Sequence, residues 1–295
     1  MHCLKVDGCR QKYMGGLFSG LSKLGLSKIE GMDIFDKEEK SERAVQKEPE
    51  EVHVLVENEM IYDKRYRCPA CDKEFKSKTV MAGKAKLVSV DTDLRPKYQG
   101  IDCIKYDAVV CEHCGYGALT RFFGGLSSLQ IKLVRENISS NFRPVSYGEE
   151  TYSYDDAILR YQLALASAVV KKAKTSERAY DCLKIAWLYR GKAENLDESV
   201  ADYAEQLEEA KEGEKKYIAS AYEGFVEAMK KEMFPICGMD ESTYVYVTAD
   251  LARRCKDYDV AAKLISQLIV SKTASTKVKE RARELRDIIK EELKG

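Results

Sequence analysis

The chain has 295 residues, 49 basic and 49 acidic, and is 44% hydrophobic and 33% charged. That length is roughly two domains, and a net charge of zero argues against a protein that grips nucleic acid through its overall field. No apolar run approaches the roughly 18 residues that span a bilayer, and the polar start MHCLKVDGCRQKY does not read as a secretory signal. The expected location is the cytoplasm. Ten cysteines in a reducing compartment then read as metal ligands and small buried side chains, not as disulfides.

Residues 1–52 read as a leader, a short amphipathic segment and a charged linker. The first thirteen residues differ in character from the segment MGGLFSGLSKLGLSKIEGMDIF after them, and Met14 is a candidate true start. From Met14 the sequence fits a myristoylation pattern, a short match that carries little weight. Leu17, Phe18, Leu21, Leu24, Ile29 and Met32 fall loosely on one helical face. DKEEKSERAVQKEPEE (36–51) has almost nothing to bury.

Residues 53–125 have the short-stranded character of a β-rich module. VHVLVENEMIYDKRYRC, KTVMAGKAKLVSV and IDCIKYDAVV read as strands, with LRPKYQG as a turn. From 126 to 295 the pattern is helical. SSLQIKLVRENISSNF reads as one helix closed by Pro144. Ala157, Tyr161, Ala164, Leu165 and Ala168 mark the buried face of the next. Thr175 or Ser176 is expected to cap a helix with Ala179, Cys182, Leu183, Ala186 and Trp187 inside and Gly191 at its C-terminal cap. A longer helix is expected over 197–233, stopped by Pro235. Asp240 is placed to cap the next, Val260 to Leu268 line another, and Val278, Ala282, Leu285 and Ile289 the last. Helices of this length joined by short turns, with starts at Thr175 and Glu241 nearly two periods of about 34 residues apart, favour tetratricopeptide-like hairpins over the alternative of an irregular helical bundle, which would give nearly the same pattern. The fold class is therefore α+β, mostly α: a small zinc-ribbon-like module followed by helical hairpins.

The strongest chemical signal is Cys68-Pro69-Ala70-Cys71 with Cys111-Glu112-His113-Cys114. Two C-x-x-C pairs supply four thiolates to one tetrahedral ion, and such closed Cys₄ sites hold structural zinc. Lys64, Arg65, Arg67 and Lys73 would offset its negative charge, and Phe75 would pack beneath it. Cys103 and His53 are the substitutes should one cysteine not ligate, and His113 is expected to point outward. Cys182, Cys237 and Cys255 read as small buried side chains. The competing reading is a C-P-x-C redox pair, but such a pair sits at a helix N-terminus, and β-prone residues follow Cys71 here.

Asp91 and Asp93, on one side of a strand, are expected to pair with Arg95 or Lys97, a shared hard cation being the alternative. Lys73, Lys76, Lys78, Lys84 and Lys86 make the module locally basic, with Tyr98 and Tyr106 as candidate nucleic-acid contacts. The neutral chain disfavours that reading. Catalytic signatures such as H-E-x-x-H, G-x-S-x-G or a P-loop are absent from the sequence, so no catalytic residue is assigned. Trp187, Tyr189 and Tyr161 read as packing residues.

In combination, CPAC-x₃-F, DTDLRPKY, IDCIKYD, CEHCGYGAL, RFF, LALASA, CLKIAWLYR and FPICGMDE resemble a bacterial family known as domain of unknown function 2225. The resemblance runs from about Met14 to the C-terminus. It implies a zinc-binding module joined to tetratricopeptide-like helices in a cytosolic bacterial protein, with Cys68, Cys71, Cys111 and Cys114 at the family's two cysteine pairs. It implies no activity. The expected function is thus non-enzymatic: one structural Zn²⁺ per chain and a helical scaffold for a protein or peptide partner. A nucleic-acid-binding regulator and a thiol-redox enzyme are the alternatives.

Overall fold

The computed structural model describes residues 55–294, so the leader, amphipathic segment, linker and His53 lie outside the described residues. A 3₁₀ turn, Glu57–Met60, leads into β1 (Ile61–Arg67), which pairs antiparallel with β2 (Glu74–Val80). β3 (Leu87–Val90) pairs with β4 (Pro96–Tyr98), and β5 (Ala108–Val110) with β6 (Gly117–Leu119). Each sheet is only a two-stranded ribbon. Such ribbons are marginal alone, and these are held by what they pack on. LRPKYQG is not simply a turn, since Pro96–Tyr98 form β4. IDCIKYD is not a strand, because Asp102 caps a 3₁₀ turn over Cys103–Tyr106 by accepting from the Ile104 N–H.

After the ribbons come the helices: α1 (Ser128–Val134), α2 (Tyr154–Val170), α3 (Thr175–Glu194), α4 (Tyr203–Lys231), α5 (Glu241–Arg254), α6 (Tyr258–Val270) and α7 (Thr276–Glu292). The described residues are thus α+β and mostly α, as expected. A reciprocal capping box, Ser127 with Gln130, starts α1. That helix widens into a π-helical turn over Arg135–Ser139 and ends before Pro144. Asp240 caps α5 through the Thr243 N–H at 2.7 Å. α4 begins later than the pattern suggests, because Asp197 turns back onto Ser199 instead of starting a helix. No helix among the described residues is long and apolar enough to cross a membrane.

One core joins the β-rich segment to the helices. It holds Ile104, Ala108 and Leu119 together with Tyr161, Leu183, Trp187, Phe225, Tyr244 and Leu285. Small residues such as Ala157, Ala186, Ala221 and Ala252 are fully buried, which lets helix axes approach while larger rings fill the gaps. Phe225 and Tyr244 stack with centroids 4.6 Å apart. The β5–β6 ribbon lies on α2. The Gly117 N–H donates to Ser167 Oγ at 3.0 Å, Arg160 Nη2 donates to the Ala108 carbonyl at 2.8 Å, and the Tyr161 hydroxyl donates to the Ile104 carbonyl at 2.6 Å.

The β3–β4 turn plugs into the helices through charge. Asp93 is wholly buried and accepts from Arg190 Nη2 at 2.7 Å and from Trp187 Nε1 at 3.0 Å. Asp91 lies 3.0 Å from Arg190 and 3.3 Å from Lys97. The acidic pair is therefore neutralised by basic side chains, from α3 as well as from its own ribbon. Burial opposes the charge on Asp93, but Arg190 and Arg254 outweigh it and hold its carboxyl at about 2. Trp187 is a packing residue with a polar duty. Behind it Asp250, also wholly buried, accepts from Arg253, Arg254 and Thr92.

Gly191 does not cap α3, which runs on to Glu194. A Cβ at Gly191 would lie 2.6 Å from Tyr154 Cε1, 2.8 Å from Arg95 Nη2 and 3.0 Å from Asp102 Oδ2. The glycine is a notch that admits the β-rich segment. Gly191→Ala is expected to destabilise the protein by about 2 kcal/mol through overpacking, read as a lower urea midpoint. An unchanged midpoint would show that the notch is not needed.

Candidate metal centre

The four cysteines of the two C-x-x-C pairs converge. One sulfur from each of Cys68, Cys71, Cys111 and Cys114 lies within 4.8 Å of all the others, an arrangement that could hold a metal ion. The Sγ atoms of Cys68 and Cys114 are 3.6 Å apart, and those of Cys71 and Cys111 3.7 Å. A tetrahedron with metal–sulfur bonds of about 2.3 Å has edges of about 3.8 Å. These two sulfur–sulfur distances match such edges, and the donor set suits a tetrahedral thiophilic cation.

Both pairs are built alike, which explains why the sequence folds this way locally. The Asp72 N–H donates to the Cys68 carbonyl at 2.8 Å, and the Cys68 N–H donates to the Lys73 carbonyl at 3.0 Å. In the second turn the Gly115 N–H donates to the Cys111 carbonyl at 2.9 Å, and the Cys111 N–H donates to the Tyr116 carbonyl at 2.9 Å. The residue after each pair is left-handed, with φ of 66° at Asp72 and 72° at Gly115. These are residue types that tolerate that region. Gly115 also has no room for a side chain, since a Cβ would lie 2.4 Å from Phe142 Cδ2. Each turn aims backbone N–H groups at sulfur, from Ala70 and Cys71 to Cys68 and from His113 to Cys111.

Those amides, more than the nearby basic side chains, face the thiolate charge. Arg67 is turned to Asp72 in a bidentate pair, 2.7 Å at both contacts, and clamps the first turn from outside. Arg135, in the π-helical turn, donates through Nε to the Ala70 carbonyl at 3.0 Å and holds the same turn from the helical side. Neither Arg135 nor the Asp72 clamp stands out in the sequence. For the clamp the signal is the matching position of Asp72 and Gly115 in the two motifs; Arg135 has none.

The sulfurs lie close enough to share protons. Hydrogen bonds from Cys111 and then Cys68 hold the Cys114 thiol well below its ordinary range. The same sharing with Cys114 and Cys68, and then burial, pushes Cys111 up. For Cys68 the bond with Cys111 lowers the pKa, but the bond with Cys114 and burial prevail and push it up. A bound cation would take the place of those protons, with Cys68, Cys71, Cys111 and Cys114 as its ligands.

The site has its own apolar jacket. Phe75, Tyr116, Phe123 and Val134 are buried in the same cluster as Cys68, Cys111 and Cys114, so Phe75 packs as expected. His113 is not in the sulfur group, and its Nε2 meets the Glu74 carbonyl at 3.0 Å. Cys103 also lies outside it, half-buried on its 3₁₀ turn. Cys182 is buried, whereas Cys237 and Cys255 are only half-buried. Of the candidate nucleic-acid contacts, Lys76 is exposed opposite Arg65, and Lys78 lies 3.5 Å from Asp63. Tyr106 is buried against Tyr152 and donates to Glu57 at 3.0 Å, so it offers no stacking face.

No curated protein and no solved structure matches the chain. A family match does exist, to the family described as uncharacterized protein conserved in bacteria (DUF2225). It covers residues 61–289, from the first residue of β1 into α7. By its extent, the chain belongs to this family.

Proposed function

We propose that Cys68, Cys71, Cys111 and Cys114 hold one structural Zn²⁺ per chain. The helices braced against that site would form a tetratricopeptide-like scaffold for a protein or peptide partner in a reducing, cytoplasmic setting. The near-tetrahedral sulfur spacing carries the reading, because four sulfur ligands leave no coordination position for a substrate. When bound, the ion supplies a cross-link between two turns distant in sequence. The redox alternative fares worse, since Cys68 follows a strand and opens a turn between β1 and β2 instead of a helix. Three-residue and five-residue connections, 255–257 and 271–275, favour side-by-side antiparallel helices in the C-terminal part.

Elemental analysis with thiol titration tests the metal. One zinc per chain and four thiols released by chelator are expected, while no metal and a readily formed Cys68–Cys71 disulfide would make redox chemistry the better reading. The zinc-loaded protein is also expected to show no salt-dependent binding to oligonucleotides. Such binding, weakened by Lys76→Glu, would favour the nucleic-acid alternative.

A further inference from the structure

A cleft borders the Cys₄ jacket, with Phe122 and Leu126 packed against the jacket and lining the cleft. It opens between the turn after β6, the α2–α3 turn and the segment after α4, with a volume of about 570 Å³, a size that suits a small molecule. Arg121, Lys172 and Lys174 line it, and none of the three has an ion-pair partner among the described residues. The two carboxylates in the wall are already engaged. Glu177 lies 2.7 Å from Lys171, and Glu232 accepts from Ser176 N and Oγ at 2.9 and 2.6 Å. A cationic surplus is left facing the cleft.

The three cations are held in different ways. The Arg121 guanidinium sits 5.4 Å from the Tyr180 ring centroid and donates through Nη1 to the Cys237 carbonyl. Its Nε and Nη2 have no hydrogen-bond partner among the described residues. Lys172 follows α2 at φ 53°, the left-handed position where helices favour glycine. A lysine there keeps a strained backbone together with an exposed charge. Lys174 precedes α3, whose first turn is already met by the Glu232 carboxylate on the Ser176 N–H, so Lys174 acts through its own charge and not through the helix end. Beneath the floor the polar layer is not closed. Lys171 lies 5.7 Å from the Tyr116 ring centroid, and the Tyr116 hydroxyl and Asp181 Oδ1 are buried without hydrogen-bond partners.

We infer that this cleft binds a phosphate monoester of a small, largely apolar molecule. A carboxylate would be satisfied by the Arg121 fork alone. A phosphoryl dianion brings three acceptor oxygens, enough for the guanidinium edge and both ammonium groups. Phe122, Leu126 and Ile236 in the same wall supply an apolar surface for the organic part. Glu232 already occupies the Ser176 donors, so the phosphoryl group lies towards Arg121, Lys172 and Lys174.

Calorimetric titration of the zinc-loaded full chain with phenyl phosphate at low ionic strength tests this. Saturable one-to-one binding is expected, weakened about tenfold by Arg121→Ala, the scale of a lost charge-assisted contact. Lys172→Gly separates binding from folding. It should weaken binding about threefold while raising the melting temperature, because glycine is at ease at positive φ. Lys174→Ala, at an exposed position, gives a third reading should Arg121→Ala fold poorly. No saturable binding, or wild-type affinity in all three variants, would overturn the inference. Binding to phosphatidic acid vesicles without binding to phenyl phosphate would overturn it too, by pointing to a lipid surface.

Discussion

Cys111→Ser is expected to release the bound ion and to lower the melting temperature by roughly 10 °C, equivalent to at least about 3 kcal/mol. Cys111 is fully buried, its main chain closes the second turn in both directions, and its sulfur lies 3.7 Å from that of Cys71. A serine hydroxyl there is a poor ligand for a thiophilic ion, and the jacket of Phe75, Tyr116 and Phe123 would then surround an incomplete site. Cys103→Ser is the control, since Cys103 lies outside the sulfur group, and it should keep a full complement of metal. Zinc content and thermal melting, measured together, check the pair. Unchanged melting with full zinc in Cys111→Ser would sink the structural role.

Asp93→Ala should cost about 3–5 kcal/mol, the scale of a broken buried ion pair. The loss arises less from the missing bond than from what remains, namely Arg190 with little solvent and the Trp187 N–H without its acceptor. The same carboxylate sets an acid limit. Its folded pKa of about 2 lies below the ordinary aspartate value of about 3.8, so its contribution is fully present above about pH 4 and is lost as pH falls through about 2. The amount at stake is about 2 kcal/mol. Urea titrations of wild type and Asp93→Asn from pH 6 to pH 2 isolate it, because the cysteine site is common to both. The gap between the two should narrow below pH 4, and a gap constant with pH would refute the assignment.

How much of this is legible in the sequence depends on the range of the interaction. Cys68, Cys71, Cys111 and Cys114 can be read as one site because each turn is a local structure with a fixed motif. Asp240 can be read as a cap for the same reason. Gly191 is misplaced by local rules, which put glycine at helix ends, whereas the reason for it lies in Arg95, Asp102 and Tyr154, contacts that no window contains. The Ser176 hydroxyl, expected to serve the start of its own helix, donates to Glu232 instead. Pairing of Asp91 with Lys97 is readable from neighbouring positions. The partnership of Asp93 with Arg190 is not, because charge complementarity between distant segments leaves no periodic trace.

The β3–β4 turn has a consequence for how the chain is made. Synthesis is vectorial, so the second cysteine turn leaves the ribosome long before α5. An ion could fasten the two turns while most helices are still unmade. Asp93 and Thr92, by contrast, wait for Arg190, Asp250 and Arg254. At about 5–20 residues per second that wait is roughly ten seconds or more. During it Asp93 has none of its partners from the helices, and the arrival of α5 completes the charge cluster that joins the early segment to the late helices.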